Sequence, residues 1–145
     1  MPDRRVAAVL IVAGLLVPAC ADAKKADTSS GLEEPARLEA IAGSEIEQII
    51  LTEDAVKRLD LQTASVEAGS GRSQSMIPHA AVFYGLTGET WTYSNPGSLT
   101  YVRVPITVDH IDGEVAYLTD GPAPGTQVVT VGAAELFGVE SGIGN

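Results

Sequence analysis

Nine residues, Thr100 to Val108 (TYVRVPITV), constrain the fold more than any other stretch of the chain. Val102, Val104, Ile106 and Val108 occupy every second position, with Tyr101, Arg103 and Thr107 between them. Side chains on an extended strand alternate between faces, so this spacing predicts one strand with an apolar face toward a core and a mixed face outward. Burying each of the four apolar side chains contributes about 1.5–3 kcal/mol. Pro105 has no N–H to give to a ladder, which predicts an edge or a bulge there.

The neighbouring segments extend the same pattern. Met76-Ile77 and Ala81 to Tyr84 are short strand candidates on either side of Pro78. In Thr90-Trp91-Thr92-Tyr93 a hydroxyl and an aromatic ring alternate, which places Trp91 and Tyr93 on one face. Asn95-Pro96-Gly97, Asp109 to Glu114 and Asp120 to Gly125 are turn signals, and Val115 to Leu118 and Gln127 to Val131 read as returning strands. Upstream, Thr52 is placed to cap a helix whose first turn holds Glu53 and Asp54, with Ala55, Val56 and Leu59 at helical spacing. Leu61 to Glu67 then reads as a strand, and Ala133 to Phe137 as a helical turn. The expected domain, over 45–140, is mainly β: a small antiparallel barrel or sandwich of about six strands with one short helix.

The N-terminus carries a different kind of information. Arg4 and Arg5 precede Val6 to Val17, twelve residues without a polar side chain. That length matches the core of a signal peptide and falls short of the ~20 residues that span a bilayer. Leu16-Val17-Pro18-Ala19-Cys20 follows and looks like the lipobox of bacterial lipoproteins, although Pro18 departs from the usual small residue. Cys20 is the only cysteine, so an intramolecular disulfide and a CxxC site are both excluded. The expectation is a signal peptide over 1–19 and diacylglycerol attached to Cys20. Two acyl chains would make a stable membrane tether, at about 0.8 kcal/mol per buried methylene. The mature chain would then be extracytoplasmic, held at the cell membrane through lipid.

Composition narrows the partners. Of the net charge of −10, the segment ending at Ala19 contributes +1, which leaves −11 on the remainder. Nucleic acid is bound through Lys and Arg, so it is excluded as a partner. Residues 20–44 are rich in Ala, Lys, Asp, Ser and Glu and hold few large apolar side chains. Such a segment cannot offset its ordering entropy, and it reads as a flexible linker. Residues 141–145 read as a flexible tail.

Two segments resemble periplasmic adaptor subunits, the membrane fusion proteins of efflux pumps of the resistance-nodulation-division class. Ile50 to Glu67 (ILTEDAVKRLDLQTASVE) is similar to the opening segment of that family. Residues 77–140 are similar to its C-terminal membrane-proximal domain, through Ile77-Pro78-His79-Ala80-Ala81-Val82, Leu99 to Val108, and Gly121 to Ala133 (GPAPGTQVVTVGA). The resemblance covers about 85 residues, in the family's order. The lipoyl-like domain and helical hairpin that separate these segments in the family are replaced by Ala68 to Ser75. The resemblance implies a non-catalytic accessory module that docks on a transporter permease or on another adaptor subunit.

Few residues are placed to do chemistry. Asp109, His110, Asp112 and Glu114 combine hard oxygens with one imidazole, which suits a divalent cation. The six-residue segment that holds them, DHIDGE, also makes an ordinary solvated hairpin turn, and that is the reading adopted. His79, after Pro78, reads as a boundary histidine rather than a base or ligand. No Gly-x-Ser-x-Gly, Ser-x-x-Lys or phosphate-loop pattern occurs, and neither an enzyme nor a cofactor is expected. Trp91, Tyr93 and Tyr101 are candidates for an exposed patch that meets a partner. In the alternative, a free-standing ligand- or cation-binding lipoprotein, Trp91 and Tyr93 line its pocket.

Overall fold

The structure is a computed structural model and describes residues 34–142. The signal peptide, Cys20, the linker up to residue 33 and the tail from residue 143 lie outside the described residues. No helix among the described residues is long and apolar enough to cross a membrane.

Eleven short strands and two helices follow in order: β1 (Ala36–Ala40), β2 (Glu47–Leu51), α1 (Glu53–Arg58), β3 (Gln62–Ser65), β4 (Glu67–Ala68), β5 (Ser75–Pro78), β6 (Phe83–Tyr84), β7 (Thr90–Gly97), β8 (Thr100–Pro105), β9 (Thr107–Asp112), β10 (Val115–Asp120), β11 (Gln127–Val131) and α2 (Ala133–Glu140). A single 3-10 turn, His79–Ala81, joins β5 to β6. All pairings are antiparallel. One sheet runs β1-β2-β8-β7-β11-β3 with β6 added beside β7, and the other runs β4-β5-β10-β9. The arrangement is a sandwich with open edges and not a closed barrel.

The chain changes sheet at two buried corners. Val66 separates β3 from β4 and is 2% exposed; Ile106 separates β8 from β9 and is 6% exposed. The long strand expected over Thr100–Val108 is therefore two strands in two sheets. Its periodicity is real, and the β7–β8 ladder runs past Pro105, which pairs with Trp91 at a non-bonded position, to the Ile106 N–H donating to Thr90 O at 3.1 Å; beyond Ile106 the chain joins the second sheet. Splitting at such corners is one reason why eleven strands stand where about six were expected.

The larger sheet is covered on both faces. Val128 and Val129, adjacent in β11 and fully buried, belong to different cores. Val129 packs with Ile49, Leu51, Tyr93 and Tyr101 under the two helices, through Ala55 of α1 and Leu136 of α2. Val128 packs with Ile77, Ile106, Ala116 and Leu118 between the sheets. Tyr101 is thus buried on the face expected to point outward, while Val102 and Val104 are half-buried. A sheet covered on both sides has no solvent face to which a mixed set can be assigned.

Thr52 caps α1 as expected, its Oγ1 accepting from the Ala55 N–H at 3.2 Å. The C-terminal helical turn continues to Glu140, entered from Gly132 in the left-handed region at φ 96°. The linker expected over 20–44 needs correction at its end, because Ala36–Ala40 forms β1 on the edge beside β2. That strand is polar because it is held mainly by its main chain: the Thr52 N–H donates to Pro35 O at 3.1 Å, and only Ala36 reaches the core beneath.

Candidate functional site

The three aromatic residues expected to form a surface patch do share a face of the sheet, but α2 covers it. Tyr93 is fully buried and Tyr101 is 4% exposed. This corrects the exposed patch at Tyr93 and Tyr101, and Tyr93, without accessible surface, lines no pocket; Trp91 is half-buried. Phe83 stacks on Tyr93 at 4.9 Å with an 8° interplanar angle, and Phe137 of α2 tilts onto Phe83 at 5.7 Å.

At the rim of this cluster Glu140, in the last turn of α2, joins two groups of the sheet. Its Oε2 accepts a 2.6 Å hydrogen bond from the Tyr93 hydroxyl. Its Oε1 lies 3.2 Å from Arg103 Nε, an ionic approach off the hydrogen-bond axis. The Arg103 guanidinium lies 4.3 Å above the centre of the Trp91 ring, a cation–π arrangement. Burial, and then the Glu140 carboxylate, raise the Tyr93 phenol far above its ordinary pKa. Burial likewise raises that of Tyr101. The network pins α2 to the sheet. Sequence reading missed Arg103 and Glu140 because their partners are remote in the chain: Tyr93 and Glu140 are 47 residues apart.

The same hairpin that buries Tyr93 ends in a very different surface. At the end of β6 Tyr84 is 61% exposed, and in the turn before β7 Leu86 is 87% exposed. The tip beneath them is tightly built. The Gly85 N–H donates to Glu89 O at 2.8 Å, and the Gly88 N–H donates to Gly85 O at 3.1 Å. The Glu89 carboxylate folds back to accept from the Thr87 N–H at 3.2 Å and from the Thr87 hydroxyl. The hydroxyl bond is the largest influence lowering the Glu89 pKa. A Cβ at position 85 would fall 2.3 Å from Glu89 Oε1, so a larger residue there must displace that carboxylate from Thr87. Tyr84 and Leu86 are thus held on a preordered support. A lone leucine between two glycines and a threonine was the one available sequence signal.

The residues with metal-ligand character are dispersed. Asp109, His110 and Asp112 lie in β9, not in the turn, which is confined to Gly113 and Glu114. The register slips between Tyr117 and Leu118, leaving Asp109 as an extra residue in β9. His110 stacks on Tyr117 at 4.3 Å, and its Nδ1 lies 2.8 Å from Asp109 Oδ2. Among the described residues no three His, Cys, Asp or Glu side chains come together as a metal site. His79 is exposed at the sheet boundary; its N–H donates to Glu114 O at 2.7 Å beside an open hollow of ≈ 550 Å³. A second open hollow, of ≈ 680 Å³, lies between β1 and the start of α1, where Arg37 faces Glu53 and Asp54.

No family model matches the chain, and no curated protein or solved structure matches it.

Proposed function

We propose that this chain is an extracytoplasmic lipoprotein whose β-domain is a non-catalytic docking module, tethered through Cys20 and received by a transporter permease or adaptor subunit at the tip Tyr84–Glu89. The observation that carries the reading is Leu86, 87% exposed on a tip tied down by Glu89. An apolar side chain on a rigid support loses little entropy on entering a pocket, and buried anchors of this kind dominate interface energies. The lipobox-like stretch before Cys20 and the ordered adaptor-like segments support this compartment and this class of partner.

Capture from detergent-solubilised membranes tests it, with the full acylated chain as bait. The wild type is expected to retain a transport component, and Leu86→Asp to lower its recovery at least tenfold. Recovery of no transport component, or equal recovery by both baits, overturns the proposal.

A further inference from the structure

β1 is the outermost strand of the larger sheet, with no strand beyond it among the described residues. Its register fixes which main-chain groups face outward. Pro35 accepts from Thr52 on the inner side, and pairs that exchange bonds alternate along an antiparallel ladder, so the 37–50 and 39–48 pairs are also bonded inward. The N–H and C=O groups of Ala36, Leu38 and Ala40 therefore point to the open edge.

The side chains of β1 are self-complementary in that frame. Place a second copy antiparallel, with the two-fold axis at Leu38. Ala36 then faces Ala40 of the other copy and Leu38 faces Leu38, through the outward main-chain groups. Arg37 falls opposite Glu39 in both directions, at the non-bonded positions where facing side chains come closest. Arg37 and Glu39 already share the solvent face, 3.0 Å apart and 63% and 42% exposed. The Glu39 carboxylate is further held by Gln48 Nε2 at 3.0 Å. Leu38, 37% exposed, lies on the opposite face with Ala36.

The other edges lack this pattern. β3 holds no charged residue, and β4 and β6 are two residues long. β9 carries Asp109 and Asp112 and is broken by the slip at Asp109, so two copies of it would bring acid toward acid. We infer that β1 is a homodimerisation edge: two copies of this chain pair antiparallel about Leu38, joining their larger sheets into one, with reciprocal Arg37–Glu39 pairs setting the register.

Sedimentation equilibrium of the full chain in density-matched detergent tests this. The wild type is expected to form a reversible dimer. Arg37→Glu and Glu39→Arg should each raise its dissociation constant about tenfold or more, by turning two attractive cross-strand pairs into repulsive ones. The two variants mixed should form a heterodimer, and the double variant R37E/E39R should recover the homodimer. Leu38→Pro removes an outward N–H that the β1–β2 ladder does not use, and should abolish the dimer while urea unfolding keeps its midpoint. A monomeric wild type, or a dimer indifferent both to the charge reversals and to Leu38→Pro, overturns the inference.

Discussion

The β6–β7 hairpin has two ends that treat aromatic and apolar side chains in opposite ways. At the body end Tyr93 is buried and Phe83 half-buried against α2, and the Glu140 carboxylate meets both Arg103 and the Tyr93 hydroxyl. At the tip Tyr84 and Leu86 face outward on a support held by hydrogen bonds. The two regions lie within ten residues of one another, so composition does not separate them. What separates them is whether a later part of the chain returns to cover the surface. α2 returns over Tyr93, and no described segment returns over Leu86. Enclosure makes the first region a stability element, and rigidity without enclosure makes the second a contact element.

The largest effect that can break this contrast is expected at Glu140. Its side chain is 10% exposed and its partner Arg103 22%. Removing the carboxylate leaves a mostly buried guanidinium without its counter-charge and a buried phenol without its acceptor. Glu140→Ala should therefore cost about 2–4 kcal/mol in urea unfolding. A loss below about 1 kcal/mol would show that α2 is held by Leu136 and Phe137 alone, and the body end would lose its polar clasp.

A smaller effect, with a pH signature, follows at Tyr93. Its folded pKa lies above the ordinary value of 10.0, raised first by burial and then by Glu140. A group whose pKa is raised by folding contributes stability below its unfolded pKa and loses it as pH rises beyond. Stability should thus hold up to about pH 10 and fall above it. Tyr93→Phe should cost about 1–2 kcal/mol near neutrality and flatten that alkaline fall, read from urea midpoints between pH 8 and 11. An equally steep fall in the variant would assign the alkaline loss to Tyr101 or to other groups.

Strand identity was largely legible in the sequence, and strand partnership was not. Gln127–Val131 stands as a strand at the bounds its residues predict, and the Thr52 cap with its short helix was readable because both are local. The Thr100–Val108 alternation correctly located extended chain. Period-two spacing carries no record of which sheet a residue joins, so the crossing at Ile106 was hidden behind an unbroken pattern. β1 was missed for the converse reason, since an edge strand held by its main chain needs little apolar surface. Alternation put Trp91 and Tyr93 on one face, yet nothing local announces a helix arriving from residues 133–140 to cover it.

The smallest expected effect on stability is at the tip, and it is the most informative about function. Leu86 is 87% exposed and belongs to neither core, so Leu86→Ala should move the unfolding free energy by no more than about 0.5 kcal/mol. Gly85→Ala attacks the support instead, by driving a Cβ into the Glu89 carboxylate. It should leave the cores intact, increase hydrogen exchange at the Gly85 and Thr87 amides, and weaken partner capture as Leu86→Ala does. Two variants with near-native stability and the same loss of capture, one lacking the anchor and one lacking its rigidity, would separate contact from preorganisation. A loss of more than about 1 kcal/mol in Leu86→Ala would instead make the tip part of the packed domain, and the hairpin would no longer have two kinds of end.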